Sequence, residues 1–190
     1  MKLLLFFLPI VYGFDYFIFS QTWVPEYCSR NHCLGKEDFI IHGLWPQYKN
    51  NTYPSFCSPC EKFQPDLLNK SLIQKYWDDT NKIDWVFLQH EWEKHGCCSG
   101  MAMEEYFNQA LSLRGKWDFK KVFDSVEIVP NKTYSKDLLK SVAKDFCGNH
   151  CNIVLQCIKN NLIELWMSLS KNLDVIFENM PENCMNEVYL

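Results

Sequence analysis

Three of the chain's five histidines fall in two short stretches, Phe39-Ile40-Ile41-His42-Gly43-Leu44-Trp45-Pro46 and His90-Glu91-Trp92-Glu93-Lys94-His95-Gly96. Histidine is the side chain whose ordinary pKa lies near neutrality, so imidazoles on two separate segments can serve one reaction as proton acceptor and proton donor. The second stretch adds a carboxylate and an ammonium. If it is helical, residues four apart share a face, which sets Glu91 beside His95 and His90 beside Lys94. Glu91 would then orient His95 and raise its pKa, and Lys94 would put positive charge where an anion develops. A zinc protease needs the two histidines of H-E-x-x-H four apart. Here the second is five away and Lys94 stands at the ligand position, so that chemistry fails by one residue. Without a metal, two imidazoles, a carboxylate and a cation suit an in-line phosphoryl displacement.

These groups must be held by something rigid. Tyr16 to Trp23 and Phe39 to Trp45 are aromatic and β-branched runs of strand length, separated by a loop rich in turn residues from Cys28 to Cys33. Leu67, Leu68, Leu72, Ile73, Tyr76 and Trp77 recur at helical spacing after Pro65, so a helix is expected over 66–77. Asp84 is positioned to cap a second helix running toward His95. Amphipathic helices are also expected over 103–113, with Gly115 just beyond, and over 135–146, with Gly148 beyond. From Asn152 the pattern turns to strands: Ile153, Leu155 and Cys157 alternate, followed by Leu162 to Leu169 and Asp174 to Phe177. The expected fold is α+β, a single domain with a central antiparallel sheet flanked by helices and stapled by disulfides. Nothing in the chain reads as a repeat, a low-complexity tract or a linker, so both histidine motifs belong to one domain.

The first 13 residues, Met1-Lys2 followed by a short apolar run and Gly13, read as a secretory signal peptide, leaving a domain over 14–190. The run is too short to span a bilayer and contains Pro9. Ten cysteines follow, and in a secreted chain an even number implies disulfides. Cys57-Ser58-Pro59-Cys60 lacks the second cysteine pair at ligand spacing that a zinc site needs. The formal charge of −4 provides no bulk basic field for nucleic acid, and removal of Lys2 makes the balance more acidic. Asn50, Asn69 and Asn131 head three glycosylation sequons in polar stretches or beside expected helix ends. No role is assigned to His32 or His150.

RNA carries its own nucleophile for a phosphoryl displacement, because its 2′-hydroxyl can attack the adjacent phosphorus and leave a 2′,3′-cyclic phosphate for water to open. In this light His42-Gly43-Leu44-Trp45-Pro46 and His90-Glu91-Trp92-Glu93-Lys94-His95-Gly96 resemble the two signature motifs of the ribonuclease T2 family, in order and at family-like separation. Phe14 to Trp23 resembles the first strand of the plant members, which include self-incompatibility ribonucleases of the pistil. Tyr106-Phe107 through Leu113, and Ile128-Val129-Pro130 before Tyr134, extend the likeness over nearly the whole chain after residue 13, most weakly past Cys157. The resemblance implies an α+β endoribonuclease that uses no cofactor or metal and cleaves RNA to 3′-phosphate ends. His42 would be the general acid and His95 the general base, with Glu91 and Lys94 stabilising the phosphorane and His90 contacting phosphate. Trp45 resembles the family's base-stacking residue, although a buried core tryptophan accounts for it as well.

The same resemblance pairs Cys28 with Cys33, Cys57 with Cys98, and Cys157 with Cys184. Cys60–Cys97 and Cys147–Cys151 remain by elimination. Gly96-Cys97-Cys98 departs from the family's usual Gly-Thr-Cys, which points to an extra bridge near the site. A second C-terminal bridge of the plant members is expected to be missing, since its places fall on Ser168 and the 177–180 stretch. The molecule is expected to be a secreted or extracellular monomer, or one delivered to a vacuole or lysosome, with RNA as its partner and neither a membrane nor an obligate protein. A pistil self-incompatibility factor, in which the nuclease is coupled to recognition of a protein, is the alternative, and the acidic balance argues against it. A disulfide-stapled binding module would leave both motifs without a purpose.

Overall fold

The computed structural model describes residues 13–31, 35–78, 83–148 and 150–190. The expected signal peptide over 1–13, save Gly13, His32, and the partner of Cys28 in the expected Cys28–Cys33 bridge lie outside the described residues. In chain order the elements are β1 (Tyr16–Trp23), α1 (Val24–Asn31), β2 (Phe39–Gln47), α2 (Lys70–Tyr76), α3 (Trp85–Lys94), α4 (Met103–Lys116), α5 (Phe119–Ser125), β3 (Thr133–Ser135), α6 (Lys136–Cys147), β4 (Ile153–Ile158), β5 (Asn161–Leu169) and β6 (Glu187–Tyr189). The fold is α+β, as expected, with helices against a sheet. β1 lies between β2 and β5, antiparallel to both, and β4 forms a hairpin with β5. β3 and β6 make a short antiparallel ribbon that joins β5 through one parallel pair, Asn161 with Tyr189.

The alternation of a strand divides the sheet into two faces. Phe17, Phe19 and Trp23 of β1, with Leu165, Met167 and Leu169 of β5, enter the main core with Tyr106, Phe107 and Ala110 of α4 and Phe119 and Phe123 of α5. On the other face Tyr16, Ile18 and Val154 pack with Trp45, Trp166 and Met180 in a separate, smaller cluster. Two irregularities break the alternation. Between Ser20 and Gln21 of β1 the partner on β2 steps from Gly43 to Ile41, so His42 is the extra residue of a β-bulge. On β5 the partner of β4 steps from Glu164 to Leu162 and leaves Ile163 as the extra residue. Both bulges therefore sit beside residues that define the site.

Several elements differ from expectation for identifiable reasons. The expected helix over 66–77 is split into a single 3₁₀ turn, Pro65–Leu67, and α2, because Leu68 is extended and the Asn69 side chain caps α2 by accepting from the Leu72 N–H. α4 runs through Gly115 to Lys116, one turn further than expected. Its last turn is anchored by the buried Arg114, which donates to the Phe39 carbonyl and pairs with Asp38 and Asp118. The expected strand over 174–177 is irregular and keeps one bridge, Val175 with Leu169, because a turn tied by Ser170 and Asp174 precedes it. The expected loop after β1 begins instead with α1, where Glu26 and Arg30 pair one helical turn apart. The Asp118-capped α5 was not anticipated either.

The described residues hold four disulfides: Cys57–Cys98, Cys60–Cys97, Cys147–Cys151 and Cys157–Cys184. The first two fasten the 57–60 loop to the segment that follows α3. At the place of the missing C-terminal bridge, Ser168 Oγ donates to the Ile176 carbonyl and accepts from the Glu178 N–H, so hydrogen bonds hold the 176–178 segment on β5. No described helix is long and apolar enough to cross a membrane.

Candidate active site

His42 stands at the β2 bulge on the face opposite the main core. The bulge matters because it frees this residue from strict pairing and re-aims its side chain across β1. The strand it crosses carries Ser20 at that level, a small residue that leaves room for an imidazole. On the far side is Glu164 of β5, whose Oε1 lies 2.5 Å from His42 Nδ1. The other oxygen of Glu164 accepts from Trp166 Nε1–H at 2.6 Å and from Ser20 Oγ–H at 3.2 Å. Burial alone would depress the His42 pKa, but the hydrogen bond and charge of Glu164, aided by Glu91 and opposed by Lys94, carry it above its ordinary value. Burial likewise pushes the Glu164 carboxyl up, and its bonds to His42, Trp166 and Ser20 bring it below the usual carboxylate range.

The second motif arrives on α3. Asp84 starts this helix by accepting from the Phe87 N–H, and His95 ends it as the C-cap. Glu91, 2% exposed, points inward. Its Oε2 accepts from Trp45 Nε1–H at 2.8 Å, and its Oε1 lies 4.0 Å from His42 Nε2. Burial raises the Glu91 pKa, and His42, Trp45, His90 and Lys94 only partly offset this. Gly43 permits the arrangement: a Cβ there would strike both the Trp45 indole and the Glu91 carboxylate.

The expected Glu91–His95 pair does not form. The Glu91 carboxylate is taken by Trp45, and the backbone of His95 is already leaving the helix at φ −116°. His95 is buried, and its Nδ1 has no hydrogen-bond partner among the described residues. Burial, then the positive charges of Lys94, His42 and His90, lower its pKa to about 3, the reverse of the expected rise. His90, expected beside Lys94 on the site's edge, is exposed outside the cavity wall, with its ring 6.1 Å from Phe56.

One cavity of about 240 Å³ gathers His42, Trp45, Glu91, Lys94 and His95, and Tyr16, Ile18, Gln47, Tyr53 and Trp166 also border it. Trp45 is the hinge of the arrangement, its ring centroid 4.8 Å from that of His42 and 5.4 Å from that of His95. The opposite wall is Tyr53, 5.8 Å from the His95 ring and 5.8 Å from Lys94 Nζ. The loop bearing Tyr53 is tied down where the Phe56 N–H donates to the Lys94 carbonyl and where the two bridges at Cys97 and Cys98 begin. A second cavity of about 330 Å³ meets the first at His42 and is lined by Thr22, Ile40, Trp77, Phe87, Ile163 and Glu164, among others.

The residues not anticipated from sequence are Glu164, Ser20, Trp166 and Tyr53. A signal for the first was present: Glu164 is the one charge inside the apolar run Leu162 to Leu169, and a carboxylate in a half-buried strand needs a partner. What could not be read was which partner, since His42 lies 122 residues away and reaches it across β1 from a bulge on β2.

The fold and this arrangement define an α+β domain with acid–base groups and an ammonium gathered at one cleft. The sequence pattern of the Ribonuclease T2 family matches residues 14–184, and the chain belongs to that family, a family of ribonucleases. It is 36% identical over 150 residues to Ribonuclease 1 of Arabidopsis thaliana, covering 71% of this chain and 65% of that protein. It is 30% identical over 177 residues to Ribonuclease DdI of Dictyostelium discoideum, covering 84% and 75%. Among solved structures, ribonuclease MC1 from bitter gourd seeds superposes with a TM-score of 0.82 at 25% identity, over 93% of this chain and all of that one. The SF11-RNase of Nicotiana alata, associated with self-incompatibility, superposes with a TM-score of 0.79 at 24% identity over 93% and 98%, which speaks to the fold alone.

Proposed function

We propose that the protein is a secreted endoribonuclease that cleaves single-stranded RNA through a 2′,3′-cyclic phosphate without a metal ion. The observation that carries this reading is the convergence of His42, His95, Glu91 and Lys94 on one cavity from two distant segments. His95, neutral down to about pH 3, takes the proton of the 2′-hydroxyl. The freed oxygen attacks phosphorus, the bond from phosphorus to the 5′-oxygen breaks, and protonated His42 delivers its Nε2 proton to that leaving oxygen. In the second step His42 takes a proton from water, the water oxygen opens the cyclic phosphate to a 3′-phosphate, and His95 returns its proton to the 2′-oxygen. Each transfer partner contributes roughly 10²–10⁴-fold.

The electrostatics of the cavity fit this division. A low proton affinity makes His95 a poor base in the free protein. Burial, the largest cause of that depression, remains when substrate binds, but a phosphodiester offsets the positive charges of Lys94 and His42 that add to it, so the base strengthens when substrate arrives. Lys94 neutralises the crowded phosphorane, and Glu91 faces the same space. Trp45 and Tyr53 offer ring faces for bases, and stacking of this kind is worth about 1–3 kcal/mol per base. His90 contacts phosphate from the rim, outside the cavity itself. RNA is favoured over DNA because only RNA carries the nucleophile. A crystal structure of a ribonuclease MC1 variant holds 5′-UMP, which supports a nucleotide ligand in this fold.

Residues 1–13 direct the chain out of the cell as a signal peptide, and the disulfides suit an oxidising compartment. Asn50, Asn69 and Asn131 are exposed and accept glycans. The protein acts as a monomer.

The test is cleavage of a defined RNA by purified protein in EDTA. The expected result is a 2′,3′-cyclic phosphate that converts to a 3′-phosphate, with His42→Ala and His95→Ala each losing about 10²–10⁴-fold in kcat. Intact RNA in EDTA, or undiminished activity of either variant, would overturn the reading.

A further inference from the structure

We propose that Glu164 is the positioning residue of His42: it accepts the Nδ1 proton, and this directs Nε2, with the proton it delivers to the departing oxygen, into the cleft. The inference rests on the reading of His42 as the acid. Its basis is the geometry of a carboxylate whose two oxygens have different partners. Oε2 receives Trp166 Nε1–H and Ser20 Oγ–H, and an indole N–H can only donate, so that oxygen must be an acceptor. Oε1 is left to His42 Nδ1 at 2.5 Å. Which imidazole nitrogen works is set by the bond that the other one makes. The backbone is built for the contact, since the bulge on β2 leaves His42 unpaired beside Ser20, and the unbroken β1–β5 ladder holds Glu164 opposite Thr22 on the far side of β1.

The other charged groups facing His42 are Glu91 and Lys94 of α3, together with His95 beyond its end, and the rings of Trp45 and Phe87 flank it. Glu91 lies toward Nε2 at 4.0 Å, on the cleft side, where it cannot fix Nδ1. Glu164 also outweighs the burial that would otherwise strip His42 of its proton, and it stays ionised itself because three donors surround it.

A glutamine at this position reverses the arrangement. Trp166 and Ser20 would still require an oxygen, so the amide NH₂ would face Nδ1 and donate to it. Nδ1 would then have to accept, the neutral ring would carry its proton on Nε2, and the protonated acid would be disfavoured. Alanine leaves space in which water can accept from Nδ1–H instead. The expected order of kcat on a dinucleotide at neutral pH is therefore wild type, Glu164→Asp, Glu164→Ala and, lowest, Glu164→Gln, the last reduced about 10²–10⁴-fold with KM little changed. In Glu164→Gln the alkaline limb of the rate profile also moves to lower pH. A purely structural role would predict the opposite order, with the isosteric glutamine mildest.

Nitrogen chemical shifts of His42 in the wild-type protein give a reading that needs no variant. Above its pKa the ring is expected to keep the proton on Nδ1. A neutral ring protonated on Nε2, a Glu164→Gln variant as active as wild type, or equal losses in Gln and Ala with His42 titrating as in wild type would each overturn the inference. If His42→Ala is inactive while Glu164→Gln is unimpaired, only this inference falls. If His42→Ala is active, the reading of the site falls with it.

Discussion

His42 and His95 border the same cleft in opposite surroundings. His42 stands on the sheet with Glu164 at one ring nitrogen and Glu91 toward the other, and its proton is held above the ordinary range. His95 stands past a helix end, buried, with Lys94, His42 and His90 as its charged neighbours, and its pKa falls to about 3. On the proposed mechanism, one fold sets an acid and a base side by side by giving two identical side chains different company, which is the general way to separate such roles near neutral pH. The support differs as well. A bulged strand carries His42, whereas His95 depends on a helix end fastened by Cys57–Cys98 and Cys60–Cys97.

The strongest way to break this contrast while leaving both imidazoles and Glu164 in place is Lys94→Ala. It takes away the cation proposed to face the phosphorane and one of the causes that depress His95. The expected result is a loss of about 10²–10³-fold in kcat, with His95 titrating at a higher pH while burial still keeps it below its ordinary value. Single-turnover cleavage and an imidazole titration by NMR measure both effects. A gentler change affects only the support of His95: Asp84→Ala removes the acceptor of the Phe87 N–H at the start of α3. Urea denaturation should show a loss of about 1 kcal/mol, with kcat unchanged well below the unfolding transition.

Much of this was legible in the chain. The strands carrying His42 and the capped helix ending at His95 follow from apolar periodicity and from Asp84, and the motif spacing placed both in one α+β domain. The failures have a common cause: they depend on contacts that local sequence does not encode. Helical spacing puts Glu91 near His95, but it cannot show that the Trp45 indole, 46 residues away, claims the carboxylate. Buried Arg114 pulls α4 past Gly115, which taken alone reads as a stop. The His42–Glu164 pair depends on a register shift between β1 and β2, and a bulge leaves no mark in a run of apolar residues.

The most direct test is the titration of both imidazoles in the same folded protein, followed by NMR from acid to alkaline pH. The account predicts that His95 stays neutral down to about pH 3 while His42 holds its proton above the ordinary histidine value of 6.5. The reverse order, with His95 protonated at neutral pH and His42 the first to lose its proton, would contradict the assignment of base and acid.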